Sequence, residues 1–391
     1  MARILVVSPC EPPPDGIARH TGHLVAAWDS AGHSVLVVAP GKHRGLEDVE
    51  HVGTRATIAR VLRQMPRRRT LDHIVAFEPD VVFVQFAVAA LNVNLWSVRN
   101  LCQRFSSEGV PVVVAYHEPA REYDLLGVVT RSIYKSYARL TDVPIVFSSA
   151  GGQALLDNGL FNEVIEVPHG TLEVATINDD DVRRVRRLYQ LEKPFVLALG
   201  FTSADKGTDV LLAAASAITA ERDGDVQFLI AGSPRIRRGV FWIMGRRDAR
   251  FQQRLESQAK KLANVNITFS GYVADQDVAP LLFAADVVAL PYRSITQSGI
   301  ANLALASRSV VVCSDLPGLR SDLGDAAKYV APGDSSELAG EIASLLDGEN
   351  SAERLRMRTL SEHRALANSF SKVAEQILSA GLSSGKPGPS H

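Results

Sequence analysis

Cysteine is scarce in this chain: Cys10, Cys102 and Cys313 are the three in 391 residues. They lie far apart, are odd in number and show no metal-type spacing. That excludes a disulfide framework and a structural zinc site, and points to a reducing compartment. The sequence also lacks any run of about 18 apolar residues, so no segment reads as a membrane span. Met1-Ala2-Arg3 leads straight into the apolar run Ile4–Val7, too short for a signal-peptide core and suited to a first β-strand. Charge of one sign is missing as well. Forty-two Lys and Arg against 43 Asp and Glu leave a formal net charge of −1, which argues against a general nucleic-acid binder. A soluble, cytoplasmic protein is expected.

What the chain has is apolar material, 46% of its residues, arranged in short runs rich in Val and Ile. In the first half strands are expected at Arg3–Val7, Ser34–Ala39, Asp80–Phe86, Pro111–His117, Pro144–Ser149 and Val164–Val167. In the second half they are expected at Phe195–Phe201, Val226–Gly232, Val265–Gly271, Asp286–Tyr292, Ser309–Asp315 and Lys328–Ala331. Near-continuous apolar strands belong to parallel sheets covered on both faces, and the helical spacing between them implies α/β winding. The acidic run at Asp179 and the following RRVRR stretch interrupt this alternation, so a linker is placed at 171–193. The fold class is therefore α/β, with two doubly wound parallel-sheet domains facing across a cleft. They are 1–170 and 194–365, followed by a helix at 366–382 and a disordered tail at 383–391.

In such sheets ligands bind beyond the C-terminal ends of the strands. The first loop, SPCEPPPDGIARHTGHL, puts Gly16 at a helix start, either as an ordinary turn or as a place where backbone N–H groups meet a phosphate. The fourth strand ends in YHEP; His117 is either a surface loop histidine or a donor to a sugar hydroxyl, and Glu118 has no paired carboxylate for glycosidase chemistry. ALGFTSADKGTDVLLAA sets Lys206 at a helix N-terminus after a glycine-bearing turn, a clamp suited to a diphosphate, although the Walker order is absent. LPYRSITQSGIANLALA offers Ser298 and Gly299 at another helix start.

These motifs, with VPHG, FLIAGSP and ITFSGYVADQDVAPLLFAADVVALPY, resemble in order the retaining GT-B glycosyltransferases of family four, the group-one glycosyltransferases, over about residues 3–365. The resemblance implies two Rossmann-like domains: an N-terminal one binding acceptor and a C-terminal one binding a nucleotide sugar. It implies that His117 meets the transferred sugar, that Gly16 and Lys206 meet the donor diphosphate, and that Thr202, Ser203 and Gly232 stand beside them. Tyr272 and Val273 would read the base, Thr296 and Gln297 the sugar hydroxyls, and Ser298, Gly299 and Ile300 the distal phosphate. No metal and no cofactor is implied beyond the nucleotide-diphosphate sugar as co-substrate. Some positions depart from the family. Phe201 stands where an arginine is usual, the region Ser294–Gln297 lacks the first of two family glutamates, and Leu303 replaces the second. Arg293 or Arg235 is a candidate replacement cation.

The expected activity moves a sugar from the donor to an acceptor hydroxyl, in glycan, glycolipid or natural-product synthesis. The alternatives are a catalytically degenerate GT-B partner that binds nucleotide or protein, and a GT-B epimerase or phosphorylase. Two Arg-rich stretches, at 60–69 and 234–250, are either solvated faces or sites of peripheral contact with an anionic membrane at its inner face.

Overall fold

The computed structural model describes residues 1–11, 16–40, 50–60, 74–91, 94–125, 127–234, 242–262, 264–295 and 298–384, apart from the side chains of 242–245 and 349. The chain divides into two compact units, Met1–Gly170 with Ser369–His391, and Thr171–Asn368.

The first unit holds β1 (Arg3–Val7), β2 (Ser34–Val38), β3 (Glu50–His51), β4 (Ala56–Ala59), β5 (Val81–Phe86), β6 (Val112–Tyr116), β7 (Val143–Val146) and β8 (Ile165–Glu166). They form one sheet in the order β3-β4-β2-β1-β5-β6-β7-β8. Every pairing is parallel except that of β3 with β4. Alternate residues serve the two faces. Leu5, Val7, Val82 and Val84 enter one apolar cluster, and Ile4, Val6, Val81 and Phe83 enter the other. The helix Phe370–Ser383 belongs to this unit. Gly381 lets it lie close on the sheet, since a Cβ there would come within 2.9 Å of Val81 and Val113 side-chain carbons. Trp28 Nε1 donates to the Ala374 carbonyl at 2.9 Å, tying this helix to Gly16–Ser30.

The second unit holds β9 (Phe195–Leu199), β10 (Gln227–Ala231), β11 (Asn266–Gly271), β12 (Val287–Leu290), β13 (Val311–Ser314) and β14 (Ala327–Val330). This sheet runs β11-β10-β9-β12-β13-β14 and is parallel throughout. Its faces alternate in the same way, with Leu197 and Val288 in one cluster and Val196 and Val287 in the other. In each unit the first strand is internal and the chain later returns to its other side. The strand order therefore switches between β1 and β5, and between β9 and β12.

Each apolar run read as a strand overlaps one. The short strands β3 and β4 escaped the sequence, because β3 is exposed and β4 only partly buried, so neither carries an apolar run. The segment read as a linker at 171–193 contains the helix Asp179–Leu188 and belongs to the second unit. Its acidic run sits in the first turn and Arg186 and Arg187 in the last. Asn178 and Asp181 form a capping box, so the charges that suggested a linker match a helix dipole instead. The C-terminal helical stretch is broken: Ser351–Ala367 stays with the second unit and Phe370–Ser383 with the first. The end of the tail, 385–391, lies outside the described residues.

Candidate active site

The loops after β9 and β12 flank the switch point of the second sheet, where an α/β sheet opens a ligand crevice. Their approach depends on glycine. Gly200 has φ +126°, and a Cβ there would come within 3.3 Å of Ile300 Cγ1. Gly232 has φ +143°, and a Cβ there would fall 1.8 Å from the Gly200 carbonyl oxygen. Gly207, at φ +62°, would drive a Cβ to 1.8 Å from the Pro291 carbonyl oxygen. Gly207→Ala therefore combines backbone strain with an overlap that backbone alone must relieve. The expected loss is about 3 kcal/mol or more, about 6–12 °C in melting temperature, read by calorimetry.

Lys206 closes the short 3₁₀ turn Ala204–Lys206, just before the helix Thr208–Glu221. Its Nζ lies 3.8 Å from the centre of the Tyr292 ring, a cation–π contact that holds the ammonium beside the end of β12. Thr202 is buried and its N–H donates to the Ser233 carbonyl at 3.2 Å; Ser203 is half-buried. Phe201 is 50% exposed, an apolar side chain where the resemblance would place a cation. Arg293 does not fill that role. It grips Asp209 with both terminal nitrogens at 2.6 and 2.8 Å and donates to the Ala204 carbonyl at 3.0 Å, so it braces the lysine turn. Arg235 lies outside the described residues.

Ser298 caps the helix Gly299–Ala306, its hydroxyl accepting from Ala301 N–H at 3.2 Å. Its own N–H donates to Asp322 Oδ2 at 3.1 Å, which corrects the reading of that amide as a phosphate ligand. Gly299 and Ile300 follow, and first-turn amides have no carbonyl within their own helix. Burial pushes the Asp322 carboxyl up to about 7, against the opposing pull of Ser298 N–H, Asn302 and Arg364. Leu303, in the place of a family glutamate, packs against the apolar core. Thr296 and Gln297 lie outside the described residues. Gly232 bridges Gly271, Tyr272 is 74% exposed with its hydroxyl 3.3 Å from Asp275 Oδ1, and Val273 is buried.

In the first unit, Gly16 opens its helix with nothing within 4 Å of where a Cβ would stand, so the backbone there is open to approach. His117 is no surface residue: it is 4% exposed at the end of β6, with its N–H on the Phe86 carbonyl at 3.0 Å. Its Nε2 bonds Gln85 Oε1; Gln85 Nε2 meets His20 Nδ1 at 3.0 Å, and His20 Nε2 meets the His169 carbonyl oxygen at 2.7 Å. Phe147 packs against all three imidazoles, with ring centres 4.8–5.6 Å apart. Burial is the first cause holding His20 well below the usual range, His117 at about 3 and His169 at about 4. Glu118 pairs with Arg121 at 2.9 Å and is turned to solvent. The neighbouring Glu122 is buried, accepting from Val88 N–H at 2.7 Å, Ala89 N–H at 3.1 Å and Tyr134 at 3.2 Å.

Gln85, His20 and Asp322 were missed from sequence. The available signal was a single glutamine inside the fully buried strand VVFVQF, since a buried amide must find partners. Arg60, read as part of a basic surface, is 8% exposed and engages Glu50 and the Cys10 and Glu11 carbonyls. The rest of that stretch, 61–69, and residues 235–241 of the other lie outside the described residues. Cys10, Cys102 and Cys313 are free thiols, and burial pushes Cys10 up to about 11 and Cys102 to about 12. Among the described residues no helix is long and apolar enough to cross a membrane, and no group of His, Cys, Asp and Glu is placed to hold a metal.

Two α/β units built on largely parallel sheets, each with its first strand internal, have the GT-B architecture. Residues 14–171 match the model of Glycosyltransferase Family 4, and residues 193–348 match that of Glycosyl transferases group 1. The chain belongs to the group 1 glycosyltransferases. It is 27% identical over 183 residues to alpha-D-kanosaminyltransferase of Streptomyces kanamyceticus, covering 45% of this chain and 43% of that relative. The alignment thus spans less than half of that relative's length. Sucrose-phosphate synthase of Thermosynechococcus elongatus superposes with a TM-score of 0.69 at 17% identity, over 97% of this chain and 98% of that one. The Anabaena protein HepE, solved in complex with UDP and glucose, gives 0.69 at 16% over 97% and 99%. At these identities the structural likeness speaks for the fold.

Proposed function

We propose that the chain transfers a sugar from a nucleoside diphosphate donor to an acceptor hydroxyl with retention of anomeric configuration. The observation that carries the reading is the pair of anion-binding devices at one switch point: Lys206 on Tyr292, and the helix start at Gly299 and Ile300. Both belong to a chain of the group 1 glycosyltransferases. HepE was solved with UDP, which favours a uridine donor.

As the bond between the anomeric carbon and the diphosphate oxygen breaks, negative charge grows on that oxygen. Lys206 and the free first-turn amides stabilise it, which is worth most in a site closed to water. The acceptor oxygen forms the new bond on the same face, and its proton passes to the departing diphosphate. The leaving group thus serves as base, so no paired carboxylates are needed. Thr202, Ser203 and Gly232 complete the phosphate surroundings, Tyr272 and Val273 take the base, and Gly16 and His117 keep the roles toward phosphate and sugar that the resemblance gives them.

The test is a reaction with an α-linked donor carrying a ¹³C label at the anomeric carbon, followed by NMR of the product. An α-linked product is expected. A β-linked product contradicts retention, and free sugar as the only product contradicts transfer. Leu303 and Phe201, where the family has a glutamate and an arginine, favour the second reading of a nucleotide-binding partner without turnover.

A further inference from the structure

The chain His117–Gln85–His20–His169 fixes its own protons. His20 Nε2 faces a carbonyl oxygen, which only accepts, so Nε2 carries a hydrogen. The His20 ring is buried and neutral, so its Nδ1 is a bare lone pair. The group facing that lone pair must donate, and it is the Gln85 amide nitrogen at 3.0 Å. Gln85 Oε1 is then turned to His117, and an amide oxygen only accepts. His117 Nε2 must therefore carry a hydrogen, and its neutral ring leaves Nδ1 unprotonated. The opposite amide orientation would put hydrogens on both nitrogens of His20 and bury a cation with no carboxylate bonded to it. Among the described residues His117 Nδ1 makes no hydrogen bond, and a bare acceptor is costly unless water or a ligand meets it.

We propose that Gln85 and His20 are positioning residues that lock His117 in the Nε2–H tautomer, so that Nδ1 accepts a hydrogen bond from a hydroxyl of the transferred sugar. This rests on the assignment of His117 to that sugar and reverses the direction of its hydrogen bond from the one the sequence suggests. Local structure explains how the relay is held. His20, Leu24 and Trp28 lie one turn apart on one helix face, over the same sheet face as Val81, Phe83 and Gln85. Phe370 from the C-terminal helix packs on His20 with ring centres 5.5 Å apart. It also sits where a Cβ on Gly170 would clash, so the loop bearing His169 is pinned to the same wall. His23, Cys10, Glu11, Arg19 and Glu118 are among the other titratable groups on the adjoining segments.

Long-range ¹H–¹⁵N spectra of the ¹⁵N-labelled full chain read the tautomer directly. Both His20 and His117 are expected as neutral Nε2–H rings between about pH 6 and pH 8. An Nδ1–H or cationic His117 overturns the relay, whatever the activity. Gln85→Leu is expected to lower kcat/KM for the donor by about tenfold. With a series of deoxy analogues of that donor, one analogue should bring parent and variant within about twofold, because the hydroxyl that Nδ1 accepts from is gone. A deficit that persists with every analogue, or no deficit at all, overturns the role toward sugar. If Gln85→Leu fails to fold, the parent's spectra still decide the tautomer. A parent that consumes no nucleotide sugar refutes the donor reading and the acceptor role of Nδ1 together. A parent that consumes donor with Nδ1–H His117 refutes the relay alone.

Discussion

Lys206→Ala is expected to lower turnover at saturating donor by about a hundredfold, because about 3 kcal/mol of transition-state stabilisation goes with the ammonium. The size follows from the neighbourhood. Phe201 supplies no charge where the family has an arginine, and Arg293 is committed to Asp209 and the Ala204 carbonyl. The variant should fold. Lys206 is half-buried, and its contact to Tyr292 is worth about 0.5–1 kcal/mol, so the melting temperature should drop by a few degrees. Steady-state kinetics beside a thermal melt separate the two effects. Turnover within about twofold of the parent would remove Lys206 from the diphosphate site.

Acidification is expected to weaken the first unit and spare the second. His20 and His117 are buried neutral, with folded values well below the ordinary 6.5. Below pH 6.5 the unfolded chain binds protons that the folded chain refuses, so stability rises with pH and is lost as pH falls from about 6.5 toward 4. His117, held at about 3, costs about 2 kcal/mol at pH 5, about 4–8 °C in that unit's melting temperature, and His20 adds a cost of the same sign. His169, held at about 4, adds a cost of the same sign. Asp322 in the second unit has the opposite sign. Its folded value of about 7 lies above the unfolded one, so it gives stability that is present at low pH and lost as pH rises through 7. Hydrogen exchange read by peptide mass spectrometry distinguishes β5 from β12. Protection should fall at β5 between pH 7.5 and pH 5 and hold at β12, after correction for intrinsic exchange. Equal protection at β5 at both values would contradict the buried neutral cluster.

The parts of this molecule legible in the sequence are those fixed by local pattern. RILVV and VVFVQF are apolar throughout because both sheet faces are covered, and such runs announce parallel strands. The turn at Lys206 and the cap at Ser298 could be located because glycine and capping residues mark the passage from a strand into a helix. Helix Asp179–Leu188 was legible too, in its Asn178–Asp181 box and charge gradient, but a charged surface helix and a charged linker differ only in where the acids fall. What stayed hidden depends on partners distant in sequence. Arg293 reads as a free cation until Asp209 is found to hold it, 84 positions away. His117 reads as a loop residue until Gln85 and Phe147 close over it. Asp322 carries no motif at all, and only the fold brings it to the Ser298 amide.

The central claim is that this chain cleaves a nucleotide sugar with Lys206 on the departing diphosphate. The most direct measurement is mass spectrometry of nucleoside diphosphate release from a panel of uridine, guanosine, adenosine and thymidine diphosphate sugars, for the parent and for Lys206→Ala. The account predicts release from at least one donor by the parent, cut about a hundredfold in the variant. A parent that binds a nucleoside diphosphate yet releases none from any donor, or that releases it equally well without Lys206, would contradict the account.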